Sequence, residues 1–456
     1  MRRPHILTRT SLSVLCLAMA AAADQGDYIV TLKNSANASA LTQQFLVQVK
    51  AILHGNDTFL VTPPSGPLGN LIMQAVKSSP LVQGVDADAP LQLPEVASHG
   101  PNSRTYPASV QTCATPNALK TGQLTPSQYY QDQPAVCQIS LPAVRKGYQG
   151  VGVTMALIDT WVDANHPEFN GKVDPTVSMS FADPLHPIPL AQETSPMVDQ
   201  ETSPMVDQET SPMVDGSGAI ILNQETSPMV DQETSPMVDS NNPPYAGHGT
   251  GVAGIMHLTA PQARIAALEA FSAKTGTGSL SSIVAAIYYA ADVVKANVIN
   301  MSFTVPSGTP GIDTLSIAIQ HAQAMGSVVV ASVPDTGGGK SLPAGYDGVT
   351  AVACVDSSDA VCTFSGHVGW SDIYAPGYQV MSLYPKSKKT GLYRHALYTG
   401  TSFSAPWATG TAALFNFKLA DALKDRSKAS SDALGEGDQI RGVERLDAVK
   451  AISAAH

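Results

Sequence analysis

The sequence predicts an α/β fold in which helices cover both faces of a doubly wound, mostly parallel sheet, preceded by a small α+β unit. From Val151 onward, short continuous apolar runs alternate with amphipathic helical patterns. Strands that are apolar along their whole length are typical of parallel sheets, because crossover helices bury both of their faces. Length agrees, since roughly 300 residues from Gln138 onward suit one such domain.

The chain begins with a segment that predicts export. Arginines within residues 1–9 precede a short apolar stretch over residues 12–20, and an alanine run at 21–23 resembles a signal-peptidase cleavage site. The apolar stretch is shorter than the roughly 20 residues that span a bilayer. Residues 1–23 are therefore predicted to be a signal peptide, and the mature protein to be secreted (extracellular or periplasmic) with no membrane partner.

Residues 24–98 predict the small α+β unit. Apolar spacing indicates strands over residues 28–33 and 81–85, and helices over residues 41–53 and 68–76. Residues 99–137 are rich in Pro, Ser, Thr, Gln and Asn, which predicts a linker or processing region. A small domain, a linker and a large domain in this order are the arrangement of a secreted zymogen, although two unrelated domains joined by a linker would have the same arrangement.

The large domain is predicted to cover residues 138–456. One clear helix is expected around residues 283–294, where the apolar side chains share one face. Strands are expected at residues 151–158, 263–267, 298–301, 327–331 and 348–355.

A tandem repeat interrupts this domain at residues 192–239. The octapeptide Gln-Glu-Thr-Ser-Pro-Met-Val-Asp occurs five times, and each copy carries two acidic residues and no basic one. These copies account for −10 of the net charge of −11, so the rest of the chain is almost neutral and offers no surplus of cations for nucleic acid. A proline in every copy argues against a helix or a central strand, and a solvated, disordered loop is the expectation.

Four cysteines remain after the signal peptide. Export permits disulfides, and four cysteines allow three connectivities. The local pairs Cys113–Cys137 and Cys354–Cys362 are the simplest choice, and no spacing resembles a zinc site.

Three short segments carry candidate catalytic residues. Asp159 ends an apolar strand, where open α/β sheets place functional groups, although such an aspartate is often only a turn residue. His248 lies among glycines in Gly-His-Gly-Thr-Gly, although a lone histidine is more often structural. Ser402 precedes an apolar helix, where free N–H groups favour an anion, although an ordinary N-cap serine would look similar.

Together the three residues supply a nucleophile, a base and an orienting carboxylate. A serine hydroxyl is a poor nucleophile until a base accepts its proton, and the base needs a carboxylate to hold its tautomer. The order Asp, His, Ser on a parallel sheet differs from the Ser, Asp, His order of α/β-hydrolases and is the order found in subtilisin.

The segments at residues 153–169, 247–254 and 400–406 resemble the three signature segments of subtilisin-like serine proteases (subtilases). The similarity extends to residues 298–302, 342–344, 363–365, 373–377 and 445–448. The resemblance implies a subtilisin-like fold over residues 138–456 and an inhibitory propeptide over residues 24–98. It also implies hydrolysis of protein and peptide substrates by the triad Asp159, His248 and Ser402.

By the same resemblance, Ser302, Phe303, Thr304, Ser332 and Val333 are expected to bind substrate. The chemistry requires no cofactor. Structural calcium is common in the family, but no run of ligands can be assigned here. The expected partners are peptide substrates and the chain's own propeptide, which acts as an intramolecular inhibitor.

The sequence departs from the family pattern at several positions. Trp161 follows the Asp-Thr pair where the family usually has glycine, and Thr304 replaces a glycine in the predicted pocket. Asp335 stands where the family has the asparagine that donates to the oxyanion, and an ionised carboxylate would repel that charge. One alternative is therefore a subtilase-fold protein with weak or lost activity that serves as a secreted binding or surface-display module. Another treats the repeats as the working part, an adhesion or antigenic loop.

Deleting residues 192–239 tests the interpretation of the repeats. The deletion leaves 41 of the 89 positions that separate Asp159 from His248, which is an ordinary connection within such a fold. Because loop-closure entropy grows only slowly with length, we expect the melting temperature to change little. Calorimetry of the two proteins measures this, and a large drop would mean that the block packs against the domain. Peptidase activity and surface binding, assayed in parallel, show whether the repeats carry a function of their own.

Overall fold

The chain divides into two compact units, residues 1–88 and 89–456. The computed structural model describes residues 26–35, 38–93, 109–112, 115–121, 125–189, 242–305, 312–335, 340–365, 369–388, 390–415, 437–440 and 443–455. The predicted signal peptide and the octapeptide block lie outside these residues. No helix among the described residues is long and apolar enough to cross a membrane.

The first unit is a four-stranded antiparallel sheet with two helices. Its strands have the order β2-β3-β1-β4, and one core contains Val30 and Phe59 of the sheet together with Leu41 and Met73 of the helices. The elements are β1 (Tyr28–Leu32), α1 (Ala38–Gln44), β2 (Gln48–His54), β3 (Thr58–Thr62), α2 (Pro67–Lys77) and β4 (Val82–Ala87).

The helix predicted over residues 41–53 is wrong. Helix α1 ends at Gln44, and Leu46 has a left-handed backbone with φ of 38°, which a continuing helix does not accommodate. The apolar pattern of residues 48–54 fits the alternation of a strand as well as the spacing of a helix. These residues form β2, whose backbone pairs with β3. A short apolar pattern that fits both periods is decided by the neighbouring strand.

The second unit is built on a ten-stranded sheet with the order β10-β9-β11-β8-β13-β14-β15-β16-β20-β19. All its internal pairs are parallel, and only the two edge strands, β10 and β19, are antiparallel to their neighbours. The strands of this sheet are β8 (Thr154–Thr160), β9 (Met179–Ser180), β10 (Ile188–Pro189), β11 (Arg264–Phe271), β13 (Val298–Met301), β14 (Val328–Ser332), β15 (Val349–Val355), β16 (Ile373–Pro376), β19 (Asp438–Ile440) and β20 (Val443–Arg445). The predicted doubly wound α/β fold is confirmed.

Helices cover the sheet in two packed pairs. Helices α6 (His248–Thr259) and α9 (Ala405–Leu414) contact each other, and so do α7 (Leu280–Asp292) and α8 (Asp313–Ala324). The chain closes with α10 (Ala448–Ala455), which packs on α9. Alternate residues of β8 serve the two faces, and Met155 and Leu157 belong to the core that α6 and α9 share.

Two small two-stranded sheets lie beside the main one. Strand β5 (Pro90–Gln92) pairs antiparallel with β12 (Thr277–Ser279), and β17 (Val380–Tyr384) pairs antiparallel with β18 (Arg394–Tyr398). The β17–β18 hairpin contacts α6, and β18 leads directly to the segment that contains Ser402.

The described part of residues 99–137 is more ordered than a linker. It contains a hairpin, β6 (Ser109–Thr112) with β7 (Thr115–Thr121), and the helices α3 (Pro126–Asp132) and α4 (Pro134–Gln138), followed by α5 (Leu141–Val144). Tyr130 and Val136 are buried in the core of the second unit. Pro126 and Pro134, which suggest loop by composition, instead occupy first-turn positions of the two helices, where proline is tolerated.

The disulfide Cys354–Cys362 is present, with the two Cα atoms 5.3 Å apart. It closes a short loop at the end of β15. Cys137 is also disulfide-bonded. Its predicted partner, Cys113, lies outside the described residues.

Three histidines gather in the core beside Glu168. His166 follows β8, His257 lies on α6 with His248, and His395 lies on β18, which precedes the turn of Ser402. The rings of His166 and His395 are 5.6 Å apart between centroids, and Nε2 of His395 lies 3.5 Å from Oε1 of Glu168. The cluster therefore links the segment after β8 with α6 and β18.

Burial lowers the pKa of these histidines. The pKa values of His257 and His395 fall to about 4, mainly because the charged imidazolium loses its hydration, and Glu168 offsets this only in part. The pKa of His166 is lowered for the same reason. All three imidazoles are therefore neutral in the folded protein at neutral pH.

This arrangement predicts that stability falls as the pH falls from about 6.5 to about 4. In that window the unfolded chain binds protons that the folded protein excludes, and each such histidine contributes a slope of about 1.4 kcal/mol per pH unit. Denaturant unfolding at a series of pH values measures the slope. His257→Gln should flatten it, whereas the exposed His186→Gln leaves the cluster intact and should retain the wild-type slope. Equal slopes for both variants would contradict the prediction.

Candidate active site

Asp159 lies at the carboxyl end of β8, a central strand of the parallel sheet. Its side chain is fully buried, and the backbone N–H of Thr160 donates to Oδ1 at 2.6 Å. Thr160 continues the local network, because its hydroxyl accepts a hydrogen bond from the N–H of Gly249 at 2.9 Å. The end of the strand is thus bonded to the first turn of α6.

His248 is the first residue of α6 and is also fully buried. Its Nδ1 lies 2.6 Å from Oδ1 of Asp159, so the two side chains, 89 positions apart in sequence, form a short hydrogen bond. Nε2 of His248 is buried and has no hydrogen-bond partner among the described residues. Glycine is required at position 249 because a Cβ there would collide with the carbonyl oxygen of Thr160.

Ser402 lies in a 3₁₀ turn, Thr401–Phe403, that leads into α9. The turn begins after Gly400, whose φ of 146° is a backbone conformation that residues with a side chain rarely adopt. Two reciprocal bonds join Ser402 to Ser302 just beyond β13. The Ser402 hydroxyl donates to the Ser302 carbonyl at 3.0 Å, and the Ser302 hydroxyl donates to the Ser402 carbonyl at 2.8 Å.

A buried polar chain extends this connection into the core. The side-chain amide of Asn300 donates to the Ser302 hydroxyl at 2.9 Å, and its carbonyl accepts from the Thr409 hydroxyl at 2.8 Å. Asn300 lies within β13 and Thr409 belongs to α9, so the turn that carries Ser402 is bonded to both a strand and a helix. Asn300 belongs to the segment 298–302 that resembles the family, but the sequence predicts no role for its side chain.

Asp335 contacts the same turn. Its Oδ1 accepts a hydrogen bond from the backbone N–H of Thr401 at 2.9 Å, one residue before Ser402. The Thr401 hydroxyl donates to the carbonyl of Val333 at 2.6 Å. The segment after β14 is therefore bonded to the turn, and the carboxylate of Asp335 is within reach of it.

The predicted substrate-binding residues follow two neighbouring strands, β13 and β14. Ser302, Ser332 and Val333 are fully buried and Thr304 nearly so. Phe303 is also fully buried, and its ring packs against Phe271 with 5.1 Å between centroids. Its side chain is thus part of the core rather than of an open surface.

An aromatic residue that the sequence does not single out contacts the histidine. The ring of Phe403 packs on the ring of His248, with 5.3 Å between centroids, and on the ring of Tyr398, with 4.5 Å. Phe403 lies within the segment 400–406, but nothing in its spacing predicts this contact. Trp161, which the sequence singled out for its bulk, is half-buried next to the segment of Asp159.

The structure thus pairs Asp159 with His248, Ser402 with Ser302, and Asp335 with the turn of Ser402. These contacts lie where strands β8, β13 and β14 reach their carboxyl ends and where α6 and α9 begin. The carboxyl edge of a parallel sheet is the usual place for a site in open α/β folds. The positive ends of the dipoles of α6 and α9 suit the development of negative charge there.

Comparison with known proteins shows which family this chain is related to. The sequence profile of the subtilase family matches residues 150–428, more than half of the chain. Thermitase from Thermoactinomyces vulgaris is 29% identical over 311 residues, which cover 67% of this chain and 90% of thermitase. Subtilisin DY from Bacillus licheniformis is 34% identical over 210 residues, which cover 42% of this chain and 73% of that protein.

Two further relatives are matched over less of their own length. A thermophilic serine proteinase from Bacillus sp. (strain AK1) is 39% identical over 166 residues, or 36% of this chain and 38% of that protein. The crystal structure of fervidolysin from Fervidobacterium pennivorans, a keratinolytic enzyme related to subtilisin, superposes with a TM-score of 0.65 at 17% identity and covers 94% of this chain and 61% of fervidolysin. The last comparison supports the fold alone. With its parallel sheet and the family profile over residues 150–428, this chain belongs to the subtilase family of serine endopeptidases.

Proposed function

We propose that this chain is a secreted endopeptidase, made as a zymogen, in which Ser402 is the nucleophile, His248 the general base and Asp159 the orienting carboxylate. The observation that carries the proposal is the 2.6 Å hydrogen bond between two fully buried side chains, Asp159 and His248. It leaves Nε2 of His248, which is buried and unpaired among the described residues, as the nitrogen that can accept a proton.

The chemistry follows from these positions. Oγ of Ser402 attacks the carbonyl carbon of the scissile peptide bond while its proton passes to Nε2 of His248, which then gives the proton to the leaving amine. Water then attacks the acyl-enzyme while Nε2 of His248 accepts its proton, and that proton returns to Oγ of Ser402 as the product acid leaves. In the structure the Ser402 hydroxyl donates to the Ser302 carbonyl at 3.0 Å, so it must turn from that carbonyl toward His248 as substrate binds. Such hydrogen bonds commonly form fully only in the complex.

Asp335 is proposed to occupy the place of the oxyanion donor. Its contact with the Thr401 N–H supports this, because the carboxylate reaches the turn beside which the carbonyl oxygen of the substrate would become an oxyanion. An ionised carboxylate at this place repels negative charge, whereas a protonated one can donate a hydrogen bond. Removing a donor from such a site costs about 10²–10³ in rate, so we expect weakened activity rather than none.

Substrate is proposed to bind along the ends of β13 and β14. Because the ring of Phe303 is packed in the core against Phe271, that residue contributes its main chain. Thr304 brings a branched side chain to the pocket and is expected to narrow it, whereas the side chain of Val333 is fully buried and so does not line an open surface. The reaction needs no cofactor, and structural calcium stays an expectation from the family, without assigned ligands.

The zymogen proposal draws support from residues 90–93. Strand β5 adds to β12 as an antiparallel partner, and the N–H of Leu93 donates to the carbonyl of Gly276 at 2.8 Å. Leu91 and Leu93 are both buried. An extended segment that adds to an edge strand is bound as a peptide would be bound, through main-chain hydrogen bonds. It lies at the end of the predicted propeptide, just before the predicted processing region.

A subtilase-fold binding or display module is the alternative that Asp335 and Trp161 suggest. The relatives that match the chain are named as proteinases and subtilisins, and this favours the peptidase. The repeats at residues 192–239 lie outside the described residues, so a role for them rests on the sequence.

Replacing the nucleophile tests the proposal. Ser402→Ala should abolish covalent labelling by a fluorophosphonate and removal of the propeptide, while the melting temperature stays near that of the wild type, because alanine fits the turn. N-terminal sequencing of secreted wild-type protein, reduced and unreduced, should place the cut between about residues 95 and 138, outside the core-packed helices α3 and α4. Full autoprocessing by Ser402→Ala would refute the assignment, and a mature N-terminus upstream of Tyr28 would refute the processing scheme.

Replacing the carboxylate tests the oxyanion site. Asp335→Asn keeps the acceptor for the Thr401 N–H and adds an amide donor, so turnover at neutral pH should rise by about 10²–10³. Turnover of one peptide substrate by the two proteins at neutral pH measures the gain. Equal turnover would mean that Asp335 does not act on the oxyanion.

A further inference from the structure

A glycine face of α6 lies directly against the β17–β18 hairpin. Gly247, at the start of the helix, and Gly251 and Gly254 follow one another at helical spacing and share one face. A Cβ at Gly247 would lie 2.5 Å from the ring of Tyr384, and one at Gly251 would lie 2.6 Å from the ring of Tyr398. The helix that begins with His248 is therefore held at a distance that only glycine allows.

Buried hydroxyl groups bond the carbonyl oxygens of this face in series. The donors come from β18, β17 and α3: Tyr398 donates to Gly247 at 3.0 Å, Ser382 to Gly251 at 2.6 Å, and Tyr130 to Gly254 at 2.6 Å. The three hydrogen bonds lie at successive turns of α6. The bond to Gly247 is next to His248, and the bonds to Gly251 and Gly254 are progressively farther from it.

Tyr398 is the member of this series that reaches the histidine. The carbonyl of Gly247, to which it donates, belongs to the peptide group that joins Gly247 to His248. Its ring packs on Phe403 with 4.5 Å between centroids, and Phe403 packs on the imidazole with 5.3 Å. The hydroxyl also lies 2.7 Å from the carbonyl of Leu383, so its hydrogen is shared with the hairpin.

The chemistry of Tyr398 suits a fixed donor. The side chain is fully buried, and burial raises its pKa well above the ordinary range, so the hydroxyl keeps its proton at neutral pH. Phe403 directly follows Ser402 in the chain. Tyr398 therefore contacts both the backbone of the histidine's helix and the turn of the serine.

We propose that Tyr398 is a positioning residue that holds His248 in register between Asp159 and Ser402, through the carbonyl of Gly247 and the ring of Phe403. The inference rests on the proposed function, because it takes His248 to be the base. Proton transfer requires near-contact geometry, and a displacement of about 1 Å can cost roughly 10²-fold in rate. Loss of the hydroxyl should therefore lower the rate of the chemical step without weakening substrate binding.

The experiment compares Tyr398→Phe with two matched variants of the full chain, Ser382→Ala and Tyr130→Phe. Each removes one hydroxyl that donates to α6. Labelling by a fluorophosphonate is followed over a range of concentrations and pH values, which separates the maximal labelling rate from the half-saturating concentration. Thermal unfolding of the same preparations gives the effect on stability, and kcat and KM on a peptide substrate repeat the comparison.

The expected result is graded along the helix. Tyr398→Phe should lower the maximal labelling rate and kcat about tenfold or more with KM nearly unchanged, and shift the pH midpoint of labelling. Ser382→Ala should have a smaller effect, and Tyr130→Phe should keep the wild-type rate and midpoint although its melting temperature falls about as far. Equal rates for the two Tyr→Phe variants would overturn the inference, as would a rate loss that merely follows the melting temperature.

Two outcomes separate this inference from the function on which it rests. Wild-type protein that is not labelled at Ser402 contradicts the proposed function itself. Wild-type protein that is labelled, with Tyr398→Phe labelled equally fast and with the same pH midpoint, contradicts only the role of Tyr398. If Tyr398→Phe is too unstable to purify, the ring contact is tested instead by Phe403→Leu, which should lower the labelling rate while the Tyr398 hydroxyl remains.

Discussion

The buried hydrogen bond between Asp159 and His248 is the interaction on which the rest of the site depends. Two polar side chains without solvent exposure are costly to bury unless they bond each other, so the end of β8 and the start of α6 must meet closely. Gly249 makes this approach sterically feasible, and Thr160 bonds the first turn of the helix in return. The local backbone, the placement of glycine and the Asp159–His248 pair are thus parts of one packing requirement.

The serine is positioned by a separate network that meets the first one at Phe403. Reciprocal bonds between Ser302 and Ser402 fix the turn to the end of β13, and Asn300 carries the connection to α9. Phe403 places an aromatic ring between this turn and the imidazole of His248. The proposed nucleophile and base therefore depend on different strands, and the distance between them depends on how the helices pack on the sheet.

Asp335 contributes to the fold and to the proposed chemistry in opposite senses. Its carboxylate accepts from the N–H of Thr401 and so stabilises the turn before Ser402. If it occupies the proposed oxyanion place, the same carboxylate opposes the negative charge of the transition state. The histidine cluster around Glu168 is a separate, pH-sensitive element that links the segment after β8 with α6 and β18.

Apolar periodicity and short motifs are local properties of the chain, and they predict the fold class, five strands of the ten-stranded sheet and the three segments that hold Asp159, His248 and Ser402. They fail at residues 41–53, where one pattern fits a helix and a strand, and at residues 126–138, where prolines that suggest loop occupy first turns of buried helices. The bond from Asp335 to the turn of Ser402 and the bond from Tyr398 to the start of α6, 151 positions away, are visible in the tertiary structure alone. Such contacts join residues that no local pattern relates, because the packing of helices on the sheet determines which distant residues become neighbours.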